Sequence, residues 1–279
     1  MDQRDMTKGR DAVRAVVRVA AAVVDPEPLL TAGICHIPAA AIVGRVRGTA
    51  PGVRDGDVLA GVGPLADLIA LDLSSVSPVG AVEGLDEAML ALLPVFASTL
   101  AALTDVAIGA GHRVLISGTG LTARLAARLI RLQADAPAML QEVRAGEEGH
   151  GPVAPSRADL LIDTTADPAR WAETFPLVRD EGRVLLLLPP WPLVCRFDFY
   201  PAVHWRSLVV HARRVPRLGG ELGGLASATE LLRHFRDRRL LEMDDLLLDV
   251  APQRVRAETW APPDFSGKGW LIRWPAPDV

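Results

Sequence analysis

The sequence predicts an α/β protein in which a doubly wound parallel sheet is joined to a smaller β-rich unit. Between Arg113 and Ala212, apolar runs of strand length alternate with stretches of helical period, the pattern of βαβ units. Ahead of them, from Ala12 to about Val79, β-branched runs are separated by Gly, Pro and Asp turn signals and not by helices. A chain of 279 residues, 49% apolar and 23% charged, suffices for one large domain or two modest ones around a real core.

In the β-rich part, Ala15-Val16-Val17-Arg18-Val19 and Ala41-Ile42-Val43-Gly44-Arg45-Val46 read as strands. From Leu85 to Leu103 the period is helical, with Glu83, Asp86 and Glu87 near the start and Pro94 interrupting the run. Arg113 to Ser117 then reads as a buried strand, Leu121 to Gln133 as a helix and Met139 to Val143 as a second strand. The alternation continues with a strand at Asp159 to Asp163, a helix at Pro168 to Val178, and strands at Arg183 to Leu188 and Ser207 to Ala212. Gly146 to Ser156 is rich in Gly, Pro and Glu, so the crossover there is stunted or irregular. Beyond the glycine pairs 219–220 and 223–224, a helix from about Ser227 to Arg239 precedes a polar tail, and Trp270 to Trp274 reads as a last strand.

Composition also excludes partners. Lys and Arg are scattered among carboxylates at a net charge of −4, so no basic stripe exists to track a nucleic-acid backbone. The two cysteines, Cys35 and Cys195, are too few for a disulfide framework and fit a reducing compartment. Arg14 and Arg18 interrupt the apolar stretch near the start, against a secretory signal. Leu90 to Leu103 is uncharged but shorter than the roughly 20 residues that cross a bilayer. The expectation is a soluble cytoplasmic protein with neither nucleic acid nor membrane as partner.

The most informative segment runs Arg113-Val-Leu-Ile-Ser-Gly118-Thr119-Gly120-Leu121-Thr122-Ala123. It is the GxGxxA form of the dinucleotide fingerprint, set between a strand and a helix as the Rossmann fold requires. Gly118 allows the tight turn, Gly120 lets a pyrophosphate approach the backbone, and Ala123 lets the helix pack on the strand. Amides at the helix start would hold the phosphates. Glu142, at the end of the second strand about 20 residues on, stands where a ribose hydroxyl partner is expected. Arg144 reads either as a partner for a 2′-phosphate or as a solvated loop residue, which leaves NAD and NADP both open. The bland alternative is a turn kept as architecture around an empty crevice.

Several further stretches, in order, resemble one family. Glu87-Ala-Met-Leu-Ala-Leu-Leu-Pro94 to Leu103, followed by Gly109 to Gly118, is similar to the helix and first Rossmann strand of the medium-chain dehydrogenases/reductases. Ala158 to Pro168, Glu181 to Leu188 and Phe197 to Val210 resemble that family's fourth, fifth and sixth strands. Gly52-Val-Arg-Asp-Gly-Asp57-Val58 resembles a turn in its GroES-like β domain. Within the family, Ala136 to Glu142 with Gly149 to Pro155 is most similar to the branch containing bacteriochlorophyllide dehydrogenases.

The resemblance implies a reduced GroES-like domain from residues 1–85 with 226–279, and a Rossmann domain from 86–225. It further implies Thr99 against the nicotinamide, Leu188 and Pro189 near its carboxamide, and Thr164 and Thr165 near the adenosine side. The family's edge strand pairs with its twin, which implies a homodimer through Ser207 to Ala212. Zinc-dependent members hold the metal with two cysteines and a histidine followed by Glu. Here Cys35 matches the first ligand, no Gly-His-Glu precedes Gly44, and Val95 stands at the second cysteine, so no zinc is expected.

Without zinc, hydride transfer needs a positioned cofactor and a proton donor. The candidates are His36, Tyr200 and His204, though a Tyr or His tip more often makes a structural hydrogen bond. Trp191, in Pro189-Pro190-Trp191-Pro192, would either stack on a planar substrate or plug space left by the shortened domain. The functional expectation is a zinc-independent NAD(P)(H)-dependent oxidoreductase for a small or planar organic substrate, in a biosynthetic setting. The alternative is a member that kept the fold without redox chemistry, as a cyclase- or isomerase-type enzyme or a scaffold subunit.

Overall fold

The computed structural model describes residues 14–31, 39–73, 76–79, 85–132, 139–143, 157–191, 196–216, 229–230, 232–234, 243–250 and 268–274. The chain opens with β1 (Arg14–Val24), the short helix α1 (Glu27–Thr31), β2 (Ala40–Arg47), β3 (Val58–Gly63), β4 (Leu68–Asp72) and β5 (Val76–Pro78). Helix α2 (Glu87–Asp105) leads into β6 (Arg113–Ser117), α3 (Leu121–Arg131), β7 (Met139–Val143), β8 (Ala158–Asp163), α4 (Pro168–Thr174), β9 (Val178–Leu188) and β10 (Val209–Arg214). A final helical turn, α5 (Met243–Leu246), precedes β11 (Leu247–Val250) and β12 (Gly269–Arg273).

The five central strands form a parallel sheet in the order β10-β9-β8-β6-β7. Alternate residues serve its two faces, as pleating requires. Val114, Ile116, Leu160, Ile162, Leu185 and Leu187 face α2 and α3, while Leu115, Leu161, Val184 and Leu186 face Trp171 and Phe175. The chain leaves β6 for β7 on one side and returns to β8 on the other. That reversal opens a crevice at the carboxyl ends of β6 and β8, the place where open α/β sheets bind ligands.

The second sheet runs β11-β12-β1-β2-β3-β5, with β4 also on β1. The register of β1 against β2 shifts between Val19 and Ala21. Before this irregularity β1 pairs with β4, and after it with β12. The later half is buried on both faces: Ala21 and Val23 belong to the core around α2, Ala22 and Val24 to the core on the other side.

Helix α2 lies between the two sheets. Asp86 caps it by accepting a hydrogen bond from Met89 N at 2.9 Å. At 19 residues it has the length its sequence pattern predicts, two residues further along, and reaches membrane-spanning length and hydropathy, but 72% of its most apolar window is buried inside the protein. Its apolar surface is spent on β1, β2, β3 and α3.

Several element boundaries differ from the predicted ones, β9 starting at Val178 instead of Arg183, and two of the differences have a local cause. The helix predicted to Val178 breaks into α4 and a 3-10 turn, Phe175–Leu177, because Pro176 has no N–H to continue the ladder. The last parallel strand begins two residues late because Ser207 has φ 53° and donates its N–H back to His204 O. The helix predicted over 227–239 is helical at 229–230 and 232–234, and the stunted crossover near Gly146 lies outside the described residues.

Because Phe96 is fully enclosed between the sheets, Phe96→Ala should cost about 3–5 kcal/mol by chemical denaturation. Val16→Thr, on an exposed stretch of β1, should stay within about 0.5 kcal/mol.

Candidate active site at the glycine turn

The turn after β6 is built as its residue pattern demands. Gly118 has φ 123°, a conformation open to glycine and strained for other residues. Gly120 caps α3 and has no side chain to offer the first amides of the helix. Those amides are satisfied from far away in the sequence. Glu27 accepts hydrogen bonds from Thr119 N at 2.7 Å and Gly120 N at 2.9 Å, and from the hydroxyls of Thr119 at 3.2 Å and Thr164 at 3.3 Å. Asp25 accepts from Thr122 N at 2.8 Å and Thr122 Oγ1 at 2.6 Å. A Cβ on Gly120 would meet Asp25 Oδ1 at 2.5 Å and Glu27 Oε2 at 2.9 Å, so the missing side chain admits both carboxylates.

Asp25 and Glu27 leave the end of β1 in the segment Asp25-Pro26-Glu27-Pro28, whose two prolines fix the backbone. Leu29, fully buried in the far core, anchors the segment. Burial pushes both carboxyls above their ordinary pKa, and for Glu27 the Asp25 charge adds to the rise; the donated hydrogen bonds oppose it. Hydrogen bonds to charged groups contribute about 1.5–3 kcal/mol each, and a helix start favours negative charge. Desolvating a carboxylate costs several kcal/mol. These opposing terms are of similar size, so the clamp is closely balanced.

The other predicted residues fall into three groups. Thr164 joins the clamp, and its N–H donates to Ser117 O at 3.0 Å. Thr165 bonds the buried Asp163, which also accepts from Trp171 Nε1 at 3.0 Å and whose carboxyl is raised by burial. Leu121 and Ala123 are buried in the core under α3. Thr99 is fully enclosed, with its hydroxyl on Val95 O at 2.8 Å. The backbone of Glu142 pairs with Ile116. His36, Cys35 and Arg144 lie outside the described residues.

Tyr200 and His204 are a correction. They occupy an exposed π-helical turn, Tyr200–His204, that hands the chain to the amino end of β10. Arg206, just beyond, bonds Phe175 O and Val178 O at the amino end of β9. In a parallel sheet that end is opposite the glycine turn, so neither side chain is brought to the crevice.

Trp191 packs against the core of the second sheet. With Leu187 and Pro189 it lines a cavity shared with Val24, Asp25 and Val95 whose free space is about 20 Å³, room for about one water. A larger concavity of about 650 Å³ lies elsewhere, between α4 and residues 196–206. Among the described residues no group of three or more His, Cys, Asp or Glu is placed to hold a metal.

Solved structures share the fold. Alcohol dehydrogenase from Thermus sp. ATN1 superposes with a TM-score of 0.66 at 12% identity, over 95% of this chain and 93% of that one. The chain shares the fold of that solved structure. A protein from Sinorhizobium meliloti 1021, assigned as a zinc-binding dehydrogenase and bound to NADP, superposes at TM-score 0.65 and 16% identity, over 94% and 92% of the chains. A short chain alcohol dehydrogenase from E. coli CFT073 complexed with cofactor NADH gives 0.65 at 11%, again over 94% and 92%. No protein-family model matches the sequence, and no curated protein does.

In this conformation the glycine turn is occupied by the chain's own carboxylates, which a dinucleotide would have to displace. The dinucleotide's pyrophosphate would need the amides of Thr119, Gly120 and Thr122, which Glu27 and Asp25 hold. Asp25 and Glu27 escaped the sequence reading because the donors they meet at the turn lie 92–137 residues away. The only local signal was two acids braced by two prolines at the end of an apolar strand.

The raised carboxyls set the sign of a pH effect. A folded state that binds these protons more tightly than the unfolded chain loses stability as pH rises from the ordinary carboxylate range through the raised values. Thermal denaturation from about pH 5 to about pH 8 should therefore show a falling Tm, and Glu27→Gln should flatten the fall. A Tm that rises over the same range would refute this account of the clamp.

Proposed function

We propose that the chain is a soluble, cytoplasmic, nicotinamide-dependent oxidoreductase of the medium-chain dehydrogenase/reductase type, working without zinc on a small or planar organic substrate. The observation that supports it is the anion cradle. Two backbone amides at the sheet's reversal point already hold a carboxylate at 2.7 and 2.9 Å, with a threonine hydroxyl from each of β6 and β8's following turns beside them. Negative charge at such a turn is the arrangement that phosphate binding uses. NADP and NADH accompany the same fold in the Sinorhizobium and E. coli proteins. The zinc-free reading rests on Val95, buried in α2 at the position the family resemblance gives to a cysteine ligand.

The same carboxylates favour a second reading, a fold kept without redox chemistry. A Cβ at Gly118 would collide with Thr164 Oγ1 and Glu27, so both glycines are accounted for with no nucleotide present. Titration of the purified protein with NADPH and NADH, followed by cofactor fluorescence and thermal stability, separates the two readings. Saturable binding that raises the melting temperature is expected; folded protein that binds neither supports the second.

For the assembly we propose a homodimer through β10. This strand ends the parallel sheet, pairs only with β9 among the described residues, and leaves Val209 half exposed. Such an edge invites pairing with a second copy. Val209→Glu should shift sedimentation from dimer to monomer with little change in monomer stability; a monomeric wild type would end the proposal.

A further inference from the structure

We propose that Asp25 and Glu27 form an internal anion that competes with the pyrophosphate of a nucleotide for the glycine turn, and so determine whether and how tightly the turn binds one. The proposal rests on the nucleotide-binding reading for its natural ligand, but its physical content is the competition itself.

The donor set is the first ground. Glu27 takes the N–H groups of Thr119 and Gly120 and the hydroxyl of Thr164, and Asp25 takes the N–H and hydroxyl of Thr122. These donors surround the start of α3, where a pyrophosphate would sit. Each N–H has one hydrogen, so carboxylate and phosphate cannot both be served.

The second ground is space. The Cβ positions of Gly118 and Gly120 fall within 2.8 Å or less of carboxylate oxygens. The room left by the missing side chains is therefore filled by acid groups.

Charge is the third ground. Two buried carboxylates within one short segment repel each other and would repel a pyrophosphate more strongly. A ligand has to displace both, and the segment that carries them is short and bounded by β1 on one side. Displacement means release of residues 25–31 from the crevice, which includes withdrawing Leu29 from its core. Apparent affinity then falls by the fraction of molecules in which the segment is released.

The experiment is calorimetric titration of the full chain and of Glu27→Ala and Glu27→Gln with inorganic pyrophosphate, NADPH and NADH. Glu27→Ala empties the seat and should bind pyrophosphate at least about tenfold more tightly than wild type. Glu27→Gln keeps the shape without the charge and should fall between them. If Glu27→Ala does not fold, the Gln variant decides, because its side chain fills the same space. Folded variants that bind pyrophosphate no better than wild type overturn the competition. Tighter pyrophosphate binding with no binding of NADPH or NADH to any form upholds it and removes the oxidoreductase reading instead. Equal dinucleotide affinity in wild type and variants has the opposite effect: the oxidoreductase reading survives and the internal anion falls.

Discussion

The start of helix α3 presents backbone N–H groups with no helical partner, and Gly120 at the cap has no side chain to meet them. Two carboxylates from the other sheet supply what is missing. This contact joins the end of β1 to the carboxyl ends of β6 and β8. The packing of β1 and β2 on α2 is consistent with the register it fixes. A polar contact of this kind specifies geometry more sharply than apolar packing, because a buried amide or carboxylate left without its partner is costly.

Helix α2 performs the complementary apolar role. Its residues Leu92, Leu93 and Phe96 are enclosed, and the core they belong to takes in Ala21 and Val23 of one sheet and Val114 and Ile116 of the other. The two sheets therefore share one core and cannot be loosened independently along this face. A second core, under Ile42 and Trp270, belongs to the β-rich sheet, and Trp191 packs on it. The Pro-braced loop after β9 thus serves the joint between sheets, where sequence reasoning left it equally available to a flat ligand.

Local pattern made β6 and β7 legible to the residue and the start of α3 likewise, because strand and helix periods there coincide with burial. It also made the glycine turn legible. It did not reveal what the turn holds, since Asp25 and Glu27 meet it only after both sheets have formed. Nor did it place Tyr200 and His204. Ser207 adopts a left-handed backbone and Arg206 bonds the amino end of β9, and these local geometries carry the segment away from the crevice. The residue types were suitable for proton transfer, but their positions depended on a turn whose conformation no periodicity encodes.

The sharing of β1 between two partners bears on synthesis. Its first half pairs with β4, made shortly afterwards, whereas Ala21 to Val24 pair with β12 some 250 residues later in the chain. A ribosome adding about 5–20 residues per second leaves that edge open while the parallel sheet is made. Through that interval the nascent protein carries a short apolar half-strand, Ala21 to Val24, with one edge of unmet backbone groups, a surface prone to pair with a neighbour. Translation speed and holding chaperones therefore bear on its yield through one half-strand, independently of how stable the finished molecule is.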